Sequence, residues 1–324
     1  MAKRFSASEY ADGILAGNRL ILSRAITLVE STLASDQQLA QQVLDQVLPH
    51  AGRAVRLGIT GVPGVGKSTF IEALGLHLVA KGHRLAVLAV DPSSPRSGGS
   101  ILGDKTRMQQ LSMHTQAYIR PSPAGRSLGG VTRSTREALL LCEAAGHDVI
   151  FVETVGVGQS ETAVHGMVDF FLLLMLAGAG DELQGVKRGI MEMADAVTIT
   201  KADGPNEVAA RRARREYQNA LHLFPLGASG WSPDVTTCSA LTGQGIPEVW
   251  SVVEDYVRHT QQNGYFQQRR QEQNLHWLQE TIRQGLEEQF YARPSVQAQL
   301  AAVRQLVLSG QRSAFAAAAD LLKL

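Results

Sequence analysis

The sequence predicts an α/β fold: a parallel β-sheet covered by helices on both faces, with a helical extension at each end of the chain. Three observations predict it. Between about Ala51 and His259, short apolar and β-branched runs alternate with longer helix-compatible stretches, the pattern of strands buried on both faces. One of those runs opens into a glycine-rich loop that leads straight into a helical stretch. Outside this region, apolar residues recur at helical spacing.

The elements follow in order. Residues 1–50 read as an N-terminal helical extension: "ILAGNRLILSRAITLVESTL" and "QQLAQQVLDQVL" both carry an apolar stripe. Residues 51–260 hold the strand runs "AVRLGIT", "LAVLAVD", "DVIFVET", "DFFLLLMLAG", "AVTITKAD" and "VTTCSA". Residues 261–324 start with the polar stretch "QQNGYFQQRRQEQ". A helix then places Leu275, Leu278, Ile282, Leu286 and Phe290 on one face. Pro294 breaks that helix, and two shorter ones follow, split at Ser309-Gly310. An arm this small has little core of its own, so it is expected to pack on the main domain or on a second subunit.

Composition narrows the classes. The chain has 324 residues, 44% of them hydrophobic, and a net charge of +1, so nothing in the balance asks for nucleic acid or an acidic membrane. Arg211, Arg212, Arg214 and Arg215 form the one basic run; without interleaved aromatics it reads as a solvated helix face. Two cysteines without a CxxC point to a reducing compartment. The nine histidines show no zinc-binding pattern. The N-terminus lacks the apolar core of a signal peptide. The most apolar run, Phe170 to Gly180, falls short of the roughly 20 residues of a membrane helix and reads as a buried strand. A cytoplasmic protein is expected.

The chemistry starts at "GITGVPGVGKSTF". Gly61, Val62, Pro63, Gly64, Val65, Gly66, Lys67, Ser68 and Thr69 match the phosphate-binding loop of P-loop NTPases, in the required strand-to-helix setting. Glycines let backbone N–H groups close around phosphates. Lys67 is expected to reach the β- and γ-phosphates, and the Ser68 hydroxyl to ligate Mg²⁺. Asp91 and Glu153 end strands, where ligands of an open parallel sheet bind; each either serves the metal and phosphate site or caps the next helix. Glu153-Thr-Val-Gly156 takes the place of the usual Asp-x-x-Gly, with the acid for Mg²⁺ and the Gly156 N–H for the γ-phosphate. Asp91 to Met108 is either a plain surface loop or a switch loop whose Asp104 joins the metal shell.

The base is read further on. Thr200-Lys201-Ala202-Asp203 has the form of the guanine-reading Asn-Lys-x-Asp, with Thr in the first place. A carboxylate at Asp203 accepts from guanine N1–H and the 2-amino group, a donor pair adenine lacks. The Lys201 stem can lie along the base. Ser239-Ala240-Leu241 matches the loop whose backbone N–H meets guanine O6. The bland alternative is a solvated strand-to-helix turn. Taken together, GTP and GDP are the expected ligands. Val157 follows Gly156 where fast GTPases of the Ras type carry the water-orienting Gln, which implies slow unaided hydrolysis. After the fourth run, "AGAGDELQGVK" joins flexible glycines to charges of both signs. Lys187 at its end either meets transition-state charge when a partner docks or simply starts the next helix.

These motifs, with "AVDPSSPRSGGSILGDKTRM", "IRPSPAGRSLGG", "ETVGVGQSE" and "AGAGDELQGVKRGIMEMAD", resemble the MeaB/ArgK (YgfD) family of P-loop GTPases over nearly the whole chain. The resemblance implies a homodimeric GTPase with a helical dimerisation arm. It implies a chaperone of adenosylcobalamin-dependent acyl-CoA mutases, chiefly methylmalonyl-CoA mutase, that gates cofactor loading and protects the enzyme. It places the phosphate loop on Gly61 to Thr69, the acidic metal residues on Asp91, Asp104 and Glu153, and base reading on Asp203 and Ser239 to Leu241. The chain lacks the Asp-x-His-x-x-Gly cobalamin signature, so the cofactor is expected on the partner. An older family label, arginine/ornithine transport kinase, leaves a second reading open. That reading needs a phosphoacceptor pocket and a base, and the sequence points to neither. A metal-insertion GTPase is expected to carry Cys or His clusters, which the sequence lacks.

Overall fold

A computed structural model describes residues 5–90, 108–121, 128–154, 160–178 and 188–324, with backbone alone at 128–130 and 188. The expected roles of Asp91, Asp104, Gly156 and Lys187 therefore lie outside the described residues.

The chain opens with helices α1 (Ala7–Leu15), α2 (Arg19–Val29) and α3 (Ala34–Val47). Ser6 and Glu9 form a reciprocal capping box on α1, and the Asn18 side chain accepts from the Leu20 and Ile21 N–H groups of α2, supplying acceptors for donors that a helix start otherwise leaves orphaned. The alternation of strand and helix follows: β1 (Val55–Gly61), α4 (Lys67–Ala80), β2 (Leu85–Val90), α5 (Gln109–Met113), β3 (Ala117–Arg120), α6 (Leu128–Ala144), β4 (Val149–Thr154), α7 (Ser160–His165), β5 (Phe170–Leu176), α8 (Arg188–Met193), β6 (Ala196–Thr200), α9 (Glu207–Leu221), β7 (Asp234–Thr237) and α10 (Ile246–Gln262). The seven strands form one parallel sheet in the order β3-β2-β4-β1-β5-β6-β7.

Strand β1 sits mid-sheet between β4 and β5, with Leu57 and Ile59 fully buried. On one face Phe70, Leu74 and Leu78 of α4 and Val249, Val253 and Tyr256 of α10 complete the core, each large side chain contributing about 1.5–3 kcal/mol by leaving water. Strand β3 is a strand the hydropathy pattern does not reveal. It pairs with β2 at the sheet edge, and the N-terminal helices guard it: Arg120 pairs with Glu30, and the Tyr118 hydroxyl lies 3.3 Å from Ser23 Oγ.

At the amino ends of the strands, a charge network is buried. Arg56 donates to Glu143 at 2.8 and 3.1 Å, and its backbone N–H donates to Asp169 at 2.8 Å. Arg270 donates to both Asp169 oxygens, at 2.7 and 2.6 Å, and to the carbonyls of Gly52 and Ala54. Removing one partner from such a network leaves a buried charge, at a cost of about 3–5 kcal/mol. Arg270 thus fastens the start of α11 (Tyr265–Ala292) to the strand that feeds the glycine loop.

The chain divides into two compact units, the first ending at Arg270 and the second spanning Gln271–Leu324. The second unit holds the rest of α11, then α12 (Pro294–Leu308) and α13 (Ala314–Leu321). Pro294 occupies the first turn of α12, where its missing N–H costs nothing. Leu275, Leu278, Ile282 and Leu286 are all more than half exposed.

Candidate nucleotide site

The glycine loop joins the carboxyl end of β1 to the first turn of α4. Gly61 lies so close to β5 that an added Cβ would meet the Leu174 carbonyl at 2.5 Å; only glycine fits there. Gly66, the residue before α4, is left-handed at φ 91° and offers no side-chain cap, so the first N–H groups of α4 remain for a ligand, and a helix start favours an anion. Val62 and Val65 are buried in the core and anchor the loop, while Pro63 and Gly64 are exposed. Lys67 begins α4 and folds back, its Nζ donating to the Gly61 carbonyl at 2.8 Å. Ser68 is half-buried beside it, and Thr69 is exposed.

Glu153 ends β4, in register with Ile59 of β1, and is only 4% exposed. Burial holds the Lys67 ammonium below its ordinary pKa, while the charges of Glu153 and Glu161 oppose that shift. Glu161, in the first turn of α7, is buried as well. Its place near Lys67 is not legible in the sequence, where it is one acid in a polar run.

Two ties bring the expected base-reading turn against this loop. Thr200 Oγ1 donates to the Val65 carbonyl at 2.8 Å, and Lys201 Nζ donates to the Gly64 carbonyl at 2.9 Å. Lys201 is left-handed at φ 55°, the non-glycine residue with positive φ among those described. That conformation is uncommon for such a residue and gathers at ligand sites. Ala202 donates its N–H to the Cys238 carbonyl at 3.0 Å, joining this turn to the loop after β7. Ser239 Oγ donates to Asp203 Oδ2 at 2.5 Å, and the Thr242 N–H donates to Ser239 Oγ. Ser239 is buried, Ala240 half-buried and Leu241 85% exposed. The structure therefore brings Gly61 to Thr69, Glu153, Lys201, Asp203 and Ser239 to Leu241 to the carboxyl end of one sheet.

A parallel sheet with a glycine loop opening onto a helix start, a half-buried lysine behind it and a carboxylate turn beside it defines a P-loop nucleotide-binding protein. Comparison with known proteins narrows the class. The family of the methylmalonyl Co-A mutase-associated GTPase MeaB matches residues 22–295, and the chain belongs to that family of GTPases. It is 52% identical to a putative GTPase of Caulobacter vibrioides, over 95% of this chain and 94% of that one. It is 49% identical to the mouse protein named methylmalonic aciduria type A homolog, mitochondrial, over 96% of this chain and 77% of that one. Among solved structures, one described as a LAO/AO transport system kinase superposes with a TM-score of 0.77 at 37% identity, covering 100% of this chain and 98% of that one. Family membership carries guanine-nucleotide binding with it. Among the described residues, no helix is long and apolar enough to cross a membrane.

Proposed function

We propose that this protein is a GTP-driven switch that acts on an adenosylcobalamin-dependent acyl-CoA mutase, methylmalonyl-CoA mutase or a close relative, gating cofactor loading and protecting the enzyme. The observation that carries the reading is the joining of the phosphate loop to the base-reading turn by Thr200 and Lys201, within a chain of the MeaB family.

Each residue has a role in this reading. The α4 N–H groups and Lys67 hold the β- and γ-phosphates, so Lys67 exchanges the Gly61 carbonyl for phosphate oxygens. Its depressed pKa means that the ammonium is incompletely solvated, and a phosphate restores that loss. Asp203, oriented by Ser239, accepts from guanine N1–H and the 2-amino group, and the Ser239–Leu241 loop meets O6. The donor set suits Mg²⁺: Ser68 is half-buried at the helix start, Glu153 is a buried carboxylate at the neighbouring strand end, and hard oxygen ligands are what that ion takes. Asp91 and Asp104 are proposed to complete the shell. Mg²⁺ bound there would neutralise charge on the β- and γ-phosphates. Hydrolysis forms a bond from water oxygen to the γ-phosphorus and breaks the γ-phosphorus to bridging-oxygen bond, releasing phosphate and GDP. Gly156 N–H meets the γ-phosphate, and Lys187 supplies positive charge once the mutase docks. Without a Ras-type Gln after Gly156, turnover is slow until that happens. The second unit, with its exposed apolar row on α11, serves as the homodimer contact.

Gel filtration with purified mutase tests the reading: a complex that forms with a non-hydrolysable GTP analogue and changes with GDP supports it. A complex indifferent to nucleotide contradicts it. The rival kinase reading is separated by the fate of the γ-phosphate, which a switch releases and a kinase leaves on protein.

A further inference from the structure

Thr200 is 4% exposed, and its hydroxyl lies 2.8 Å from the Val65 carbonyl and 3.3 Å from the Met175 carbonyl. Carbonyls only accept, and a threonine hydroxyl has one hydrogen, so that hydrogen is committed to the backbone. An asparagine amide at this position would carry two N–H bonds. One could hold the Val65 carbonyl while the other stayed for a ligand. Neighbouring side chains are engaged too. Ser239 commits its one hydroxyl hydrogen to Asp203, while Lys201 and Asn206 each place one N–H on a backbone carbonyl, of Gly64 at 2.9 Å and of Lys201 at 2.7 Å, and keep the rest. With both hydroxyls committed, what Thr200, Ser239 and Asp203 together offer a base is an acceptor, Asp203. Guanine N1–H and the 2-amino group are donors and match it; guanine N7 is an acceptor and does not.

We infer that Thr200 is a positioning residue rather than a base contact, and that this protein reads guanine through its Watson–Crick edge alone, leaving N7 unread. The inference rests on the guanine-binding reading above. Thr200 acts through Val65: it sets the phosphate loop at a fixed distance from Asp203, so one ligand spans both. A nucleotide altered at N7 is then as good a ligand as the natural one, whereas one altered at the 2-amino group is not.

Calorimetric titration of the full-length protein with GDP, 7-deaza-GDP, IDP and ADP tests this. 7-Deaza-GDP, which replaces N7 by C–H, is expected to bind within about twofold of GDP. IDP, which lacks the 2-amino group, is expected to bind about tenfold or more weakly, the size of one charge-assisted hydrogen bond. Thr200→Asn is expected to create a preference for GDP over 7-deaza-GDP of about threefold or more, by adding the missing donor. Thr200→Val should weaken GDP and 7-deaza-GDP by the same factor, and Thr200→Ser should restore both. Wild-type discrimination against 7-deaza-GDP beyond twofold overturns the inference and leaves the guanine reading standing. ADP binding as tightly as GDP overturns the guanine reading itself. The wild-type comparison decides the N7 claim even where a Thr200 variant does not fold, and a Thr200→Val protein that weakens GDP and 7-deaza-GDP unequally, or neither, overturns the positioning role.

Discussion

Replacing Asp203 by Asn changes one acceptor into a donor at a defined place. In the structure, Ser239 Oγ donates to Asp203 Oδ2 at 2.5 Å and so fixes the plane of the carboxylate. In the proposed complex the carboxylate accepts two N–H groups from guanine, each charge-assisted bond contributing about 1.5–3 kcal/mol. Asparagine keeps one acceptor and turns an N–H toward the second guanine donor. Two charged bonds become one neutral bond of about 1 kcal/mol and one donor–donor contact. The net loss is about 2–5 kcal/mol, a fall in GTP affinity of about 30-fold to several thousandfold. Xanthine presents a carbonyl where guanine presents the 2-amino group, so the same variant should favour XTP. Calorimetric titration of wild type and variant with GTP, XTP and ATP is the assay. An Asp203→Asn protein that still prefers GTP to XTP, or a wild type that binds ATP as well as GTP, would refute the base-reading argument.

Other outcomes follow from the same structure. Lys67→Ala removes the half-buried ammonium and should weaken GTP binding about 100-fold or more, the size of two charge-assisted bonds to phosphate; unchanged affinity in a folded variant refutes its role. A chain ending at Arg270 retains the first compact unit and the Arg270–Asp169 clamp, and light scattering should find it folded and monomeric. A folded dimer would rule out the second unit as the dimer contact. Burial pushes His147 and His165 down to about 4 and Asp195 up to about 6. The two histidines contribute stability that is present above pH 6.5 and is lost as pH falls toward 4, while Asp195 acts in the opposite sense between 6 and 3.8. The histidines win, so denaturant unfolding should show a loss of about 2 kcal/mol between pH 7 and pH 5. Equal or greater stability at pH 5 contradicts this.

Local chemistry was readable and long-range chemistry was not. The glycine loop announces itself because its strand, loop and helix start are contiguous, and Val55–Gly61 and Lys67–Ala80 fall where the pattern places them. The buried strands were readable because both faces are apolar. Strand β3 escapes because Ala117–Arg120 is four residues long and ends in a charge that pairs with Glu30. The Thr200–Val65 bond joins residues 135 apart, so Thr200 reads in sequence only as a departure from a motif. Glu161 near Lys67, and the Arg56–Glu143–Asp169–Arg270 network, depend likewise on strands brought together by the sheet. The apolar row of α11 was visible in sequence as a face; its exposure on the folded chain is what the structure adds.

The most direct test of the switch is single-turnover GTP hydrolysis with and without purified methylmalonyl-CoA mutase. The account predicts slow phosphate release by the protein alone and a saturable acceleration as mutase is added, with GTP but not with ATP. A rate that stays the same at saturating mutase, or an acceleration shared equally by ATP, would contradict it.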